Sequence, residues 1–353
     1  MFTGKETILQ QILDEYTSKN IECGCQLAIY HQGKVLYNLV SGYTNINKTK
    51  KVTPQTIFPV FSAGKSVITI LLLILYQEKV LNLDNPVSYY WKEFGQNGKE
   101  KITIRHILNH ASGLHNPPEG LSFKDYYNWE VFTDALAKMA PQGIPGECKM
   151  YHGLTYGALG GKIAEAACKK SLQTLLEEKI FRPLKIDDIY FNLPKDKYSN
   201  LAQILDSDNN DFFLSHNEEY VLSGLNPSTN CCTNALTLGK MYASLIDEGI
   251  DNVRLLNDET IEEAVSFAFD RENEFSSDKK KWKKFGLGFV RFGEIDDPFR
   301  LFGQTGAAGS EGIADRKNNL VMAFTKNKNI PGNPIPEVRN KIAEVLGLPE
   351  RLK

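Results

Sequence analysis

Cysteine, charge imbalance and long apolar runs are all scarce in this chain. Its 353 residues include six cysteines, Cys23, Cys25, Cys148, Cys168, Cys231 and Cys232, and none makes a C-x-x-C pair. The adjacent Cys231 and Cys232 are poor disulfide partners for each other. Six scattered thiols in a chain of this length point to a reducing compartment. A formal net charge of −2 offers no general attraction for polyanions, so neither nucleic acid nor an anionic membrane is expected as a partner. The basic run SSDKKKWKK at 276–284 reads as a solvated loop. The longest apolar run, at 67–75 and broken only by Thr69, is too short to span a bilayer. The opening MFTGKETILQQILDEYTSKN is an amphipathic helix with acids interspersed. It lacks the apolar core and small-residue cleavage site of a secretory signal. A soluble cytoplasmic protein is the expectation.

What is present is a chain with β-signals at both ends and helical signals between them. After a helix at about 5–19, CQLAIYHQGKVLYNLVSGYTN forms two alternating runs joined at His31-Gln32-Gly33-Lys34, a hairpin signal. Helical periodicity dominates from about 80 to 280, punctuated by NPPEG and PQGIPGE. Strand signals return in FGLGFVRFG, FRLFGQTG and GSEGIADRKNNLVMAFTKN, and a helix follows Pro336. The economical architecture is α/β (α+β). Residues 1–80 and 281–353 form an antiparallel sheet flanked by the terminal helices, and residues 81–280 form a mainly helical subdomain. The cleft between the two is the natural place for a site.

One pair of residues stands out against that frame. In FPVFSAGKSVITILLLILYQEK, Ser62 and Lys65 lie three apart at the mouth of a very apolar segment. On a helix they share a face, yet a cation is disfavoured near a helix N-terminus. Backbone N–H groups at a helix start have no intrahelical partner and can donate to an oxyanion. A lysine desolvated by the apolar segment has its pKa lowered and can accept the serine proton. The competing reading is a serine cap beside a surface lysine, and the pair alone leaves both open. S-x-x-K also occurs at Ser276 and Ser277, inside the charged run, where it carries no such context.

Several segments then resemble, in order, the serine β-lactamase and penicillin-binding superfamily, in its class C branch and the related family VIII carboxylesterases. IFPVFSAGKSV resembles the start of the nucleophile helix. ITIRHILNHASGL resembles the Thr-Ile-Arg-His-Leu-Leu-x-His-x-Ser-Gly-Leu block. PGECKMYHGLTYGALGG resembles the block built on Tyr-Ser-Asn. NPSTNCCTNALTLGKMYASL resembles the stretch before the closing strands, and FGLGF and FGQTGAAGSEGIADRKNNLVMAFTKN resemble those strands. The likeness spans roughly residues 20–330 and implies a β-lactamase-like fold with no cofactor or metal. It implies Ser62 as nucleophile, Lys65 as its base and Tyr151 as a partner in proton transfer. Gln304, Thr305 and Gly306 become the strand triplet lining the cleft, and the N–H groups of Ser62 and Ala307 the oxyanion donors. His152 and Gly153 sit beside Tyr151, and the direction of the His152 side chain is left open.

Two departures bear on substrate. Gly153 stands where the lactamase pattern has asparagine, and Gln304 where lysine or histidine is usual. A substrate carboxylate is best held by a charged donor, so a small or medium acyl ester is expected as the small-molecule substrate, with transacylation available to the same machinery. A β-lactamase or D-amino-acid peptidase is the alternative within the fold, and a non-catalytic scaffold the alternative outside enzymology. Rival sites are weaker. His106, His110 and His115 do not form H-E-x-x-H, and the resemblance accounts for the first two as polar residues tying loop to helix. AAGSEG is not a G-x-S-x-G elbow. No P-loop lysine follows the glycines from Gly303 to Gly312.

Overall fold

The computed structural model describes residues 2–147, 149–266, 269–271, 283–292, 300–330 and 335–347. Helix α1 (Glu6–Ser18) turns its Leu9, Ile12, Leu13 and Tyr16 inward and leads into the hairpin of β1 (Gly24–His31) and β2 (Lys34–Gly42). The hairpin turn is Gln32-Gly33, with φ of 50° and 68°. Two left-handed residues are what matches the twist of the flanking strands.

The sheet is completed from the far end of the chain. Strands β3 (Phe269–Arg271), β4 (Lys283–Phe285), β5 (Val290–Arg291), β6 (Leu301–Thr305), β7 (Glu311–Asp315) and β8 (Leu320–Lys326) join β1 and β2. The order is β2-β1-β8-β7-β6-β5-β4-β3, with every pairing antiparallel. The antiparallel sheet expected from the two chain ends is therefore present. All of the charged run except Lys283 and Lys284 lies outside the described residues, Ser276 and Ser277 included.

Side-chain alternation sends the two faces of the sheet to different partners. Leu27 and Ile29 pack with α1 and with the terminal helix α7 (Ile335–Leu346), in one apolar cluster. Ala28 and Tyr30 face the larger core, which holds α2 (Lys65–Gln77), α3 (Trp129–Lys138), α4 (Tyr156–Cys168), α5 (Ala235–Ala243) and α6 (Asp258–Ser266). Helix α5 lies directly on β1, β7 and β8. Helix α5 and strand β3, both before residue 281, thus belong with the sheet layer. A three-stranded ribbon of Phe58–Pro59, Cys232–Thr233 and Ile189–Tyr190 ties the approach to α2 into that stretch. No helix among the described residues is long and apolar enough to cross a membrane.

Candidate active site

Ser62 lies in a single 3₁₀ turn, Phe61–Gly64, that runs directly into α2. Phe61 has φ +49°, a left-handed conformation that costs a bulky residue on the order of 1–3 kcal/mol. The surroundings enforce it. The Phe61 ring packs at 5.6 Å from Phe213 and 4.2 Å from the His216 ring. The Val60 N–H donates to the Cys231 carbonyl at 2.8 Å. On the other side, a Cβ at Gly306 would meet the Val60 carbonyl oxygen at 2.2 Å. Only glycine lets the end of β6 come this close to the Ser62 turn.

Lys65 does not reach water; it is 0 % exposed. Its Nζ lies 2.9 Å from Ser62 Oγ and donates to the Gly153 carbonyl at 2.8 Å and to the Ser228 carbonyl at 2.6 Å. Burial drives its pKa well below the ordinary 10.5. Desolvating an amine costs several kcal/mol. That cost is offset by Val67, Ile68, Ile70, Leu71 and Leu72, all fully buried behind it, at roughly 1.5–3 kcal/mol for each such side chain.

The Tyr151 ring lies over this amine, with its centroid 5.2 Å from Nζ, and packs against Phe285 at 5.6 Å. A Cβ on Gly153 would meet nothing within 4 Å, so the place of an asparagine side chain is open space. Past the end of β6, the Gly306 N–H donates to the Ser310 carbonyl at 2.7 Å. Ala307 is exposed, and its N–H has no protein acceptor among the described residues.

A Beta-lactamase family model matches residues 9–346. The chain belongs to the beta-lactamase family. "Esterase/beta-lactamase LipL" of Mycobacterium tuberculosis (strain ATCC 25618 / H37Rv) is 25% identical over 337 residues, covering 86% of this chain and 77% of LipL. "Teichoic acid D-alanine hydrolase" of Staphylococcus aureus is 31% identical over 179 residues, covering 51% of this chain and 43% of that protein. A crystal structure of a family VIII carboxylesterase superposes with a TM-score of 0.87 at 22% identity, covering 98% of each chain. The serine β-lactamase resemblance read from the motifs is thus the family of the whole fold, and the protein is a serine hydrolase of the beta-lactamase family.

Within this beta-lactamase-family site, His152, whose direction the sequence leaves open, and Gln304 are both buried. His152 is fully buried. Its Nδ1 lies 2.6 Å from the Met150 carbonyl and its Nε2 2.6 Å from Ser112 Oγ. A carbonyl can only accept, so Nδ1 carries the proton and Nε2 accepts from the serine hydroxyl. Both nitrogens are used, and burial holds the ring neutral with a pKa of about 3. Gln304 is 2 % exposed, and its Oε1 accepts from the neighbouring Thr305 N–H at 3.1 Å. Beyond it, Thr305 is half-buried, Gly306 buried and Ala307 exposed.

One functional contact escaped the sequence reading. Ser228 contributes its backbone carbonyl, and any residue type has one. The only available signal was the flanking polar pattern of NPSTN. Asn230 Nδ2 donates to the carbonyls of Phe191, Val221 and Gly224, and Ser228 Oγ donates to the Leu154 carbonyl at 2.8 Å. The loop is thereby pinned with its carbonyl on the lysine. His106 serves neither metal nor cleft: it forms a capping box with Thr103 at the start of the short helix Ile104–Leu108. No group of three or more His, Cys, Asp or Glu side chains converges among the described residues.

Proposed function

We propose that this protein hydrolyses small or medium uncharged acyl esters through an acyl-enzyme at Ser62. The observation that carries the reading is the set of three oxygen partners around the buried Lys65 amine. Two are carbonyls, which must receive N–H groups; the third is a hydroxyl, which can donate or accept. A neutral amine satisfies all three, with two N–H groups to Gly153 and Ser228 and its lone pair on the Ser62 O–H. Burial favours that neutral form. The Ser62 oxygen then attacks the ester carbonyl as its proton passes to Nζ. The N–H groups of Ser62 and Ala307 receive the oxyanion. The Tyr151 phenol relays the proton from Nζ to the departing alcohol oxygen. Water, deprotonated by the same pair, attacks the acyl carbonyl and frees Ser62.

The departures at Gly153 and Gln304 support a neutral ester over a carboxylate-bearing lactam. One leaves open space in place of an amide, and the other puts a buried neutral amide in place of a cation. LipL is an esterase/beta-lactamase and the structural neighbour a family VIII carboxylesterase, so ester hydrolysis is common to both.

The test uses p-nitrophenyl acetate and butyrate, nitrocefin, and a fluorophosphonate probe on the wild type and on Ser62→Ala. Ester turnover and labelling that both vanish in the variant support the proposal. Nitrocefin turnover with little esterase activity favours the lactamase alternative, and no labelling of Ser62 defeats both.

A further inference from the structure

Tyr151 sits in an irregular stretch, in neither helix nor strand, so no repeating backbone ladder fixes its phenol. His110 takes that place. It is fully buried in the loop after the short helix Ile104–Leu108, with φ +59°. Its carbonyl accepts from the Met150 N–H at 3.1 Å. Its Nδ1 accepts from the His152 N–H at 3.1 Å. A single residue therefore holds the backbone on both sides of Tyr151. Its ring also lies against the tyrosine ring, with centroids 4.7 Å apart. Since Nδ1 is accepting, the neutral ring carries its proton on Nε2; a proton on Nδ1 would set two N–H groups against each other.

The outer layer reinforces this clamp. The His152 ring spans Met150 and Ser112, and Ser112 Oγ also accepts from the Leu114 N–H at 3.3 Å. The Gly146 N–H donates to the Ala111 carbonyl at 2.7 Å. Residues 110–114 are thus sewn to 146–152 at several points, and every stitch lies within a few residues of Tyr151.

We propose that His110 is a positioning residue for Tyr151, acting on the reaction by fixing where the phenol oxygen sits relative to Lys65 and the leaving alcohol. The inference rests on the proton-transfer role proposed above for Tyr151. No bond to His110 forms or breaks, and its proton stays on Nε2 throughout.

A double-mutant cycle on p-nitrophenyl butyrate turnover tests it, with melting curves to confirm folding. His110→Phe keeps a ring against Tyr151 and removes the acceptor. Its kcat should fall on the order of 10- to 100-fold, the lower range of what a placed acid–base group contributes, with KM within about twofold. His110→Asn supplies an acceptor in place of Nδ1 and tolerates positive φ; it should recover most of the loss. In a Tyr151→Phe background, His110→Phe should cost less than about another twofold, because residues acting as one unit are not additive. An equal loss in that background, an unchanged kcat in His110→Phe alone, or failure of both His110 variants to fold would overturn the proposal and leave the Ser62 reading intact. An unimpaired Tyr151→Phe would instead remove the proton-relay role itself, and the positioning role with it.

Discussion

The two halves of the proposed proton-transfer machinery are held by different physics. Lys65 opens α2, whose fully buried aliphatic face anchors it in the main core, and Ser62 lies in the 3₁₀ turn that runs into it. Tyr151 rides on an irregular segment held by single hydrogen bonds from a neighbouring loop. The contrast teaches where each kind of change should register. Damage to α2 should appear first in global stability. Damage around Tyr151 should appear first in rate, because local openings of a hydrogen-bonded loop need not unfold the protein.

The largest expected effect is chemical. Lys65→Arg keeps a cation but removes a group able to lose its proton. Esterase activity should fall on the order of 10²- to 10⁴-fold, measured as kcat/KM on p-nitrophenyl acetate. A loss under about tenfold would break the comparison at its first term. Next is Leu72→Ala, in the fully buried face of α2 and packed beside Gly160 of α4. It should cost about 2–5 kcal/mol of stability in urea melts, while kcat of the folded enzyme stays within about threefold. A much larger drop in kcat would show that the helix core and the site are not separable. The smallest effect belongs to Gly153→Asn. The open space at this position should admit the side chain with a stability change of about 0.5 kcal/mol or less. One new amide contact to an acylamino substrate, at about 0.5–1.5 kcal/mol, should raise nitrocefin turnover roughly two- to tenfold. No gain would mean that the amide is not what separates this chain from lactamase chemistry.

Legibility in the sequence follows the same division. Ser62 and Lys65 can be paired from sequence because helical spacing converts a separation of three residues into a shared face. The hairpin at Gln32-Gly33 and the strands returning after residue 284 are legible for a like reason, since period-two alternation maps directly onto the two faces of a sheet. The direction of His152 stays open in the sequence. It is set by Ser112, forty residues earlier, through a contact no local period encodes. Ser228 is invisible because its backbone meets the lysine. The left-handed Phe61 is invisible too: nothing in the residue type announces it, and it exists only because Phe213, His216 and Gly306 close around the turn.

The proposed reactivity of Ser62 requires an amine that burial keeps in its free-base form at working pH, and the pH dependence of fluorophosphonate labelling reads that amine most directly. The sign follows from the lowered pKa of Lys65: the lone pair is present above it and lost as pH falls through it. His152, held at about 3, stays neutral across that range and supplies no competing limb. The predicted result is a labelling rate, with the adduct mapped to Ser62, that drops about tenfold per pH unit on the acid side of an inflection well below 10.5. A rate that keeps climbing up to pH 10.5, or a flat profile, would contradict the account.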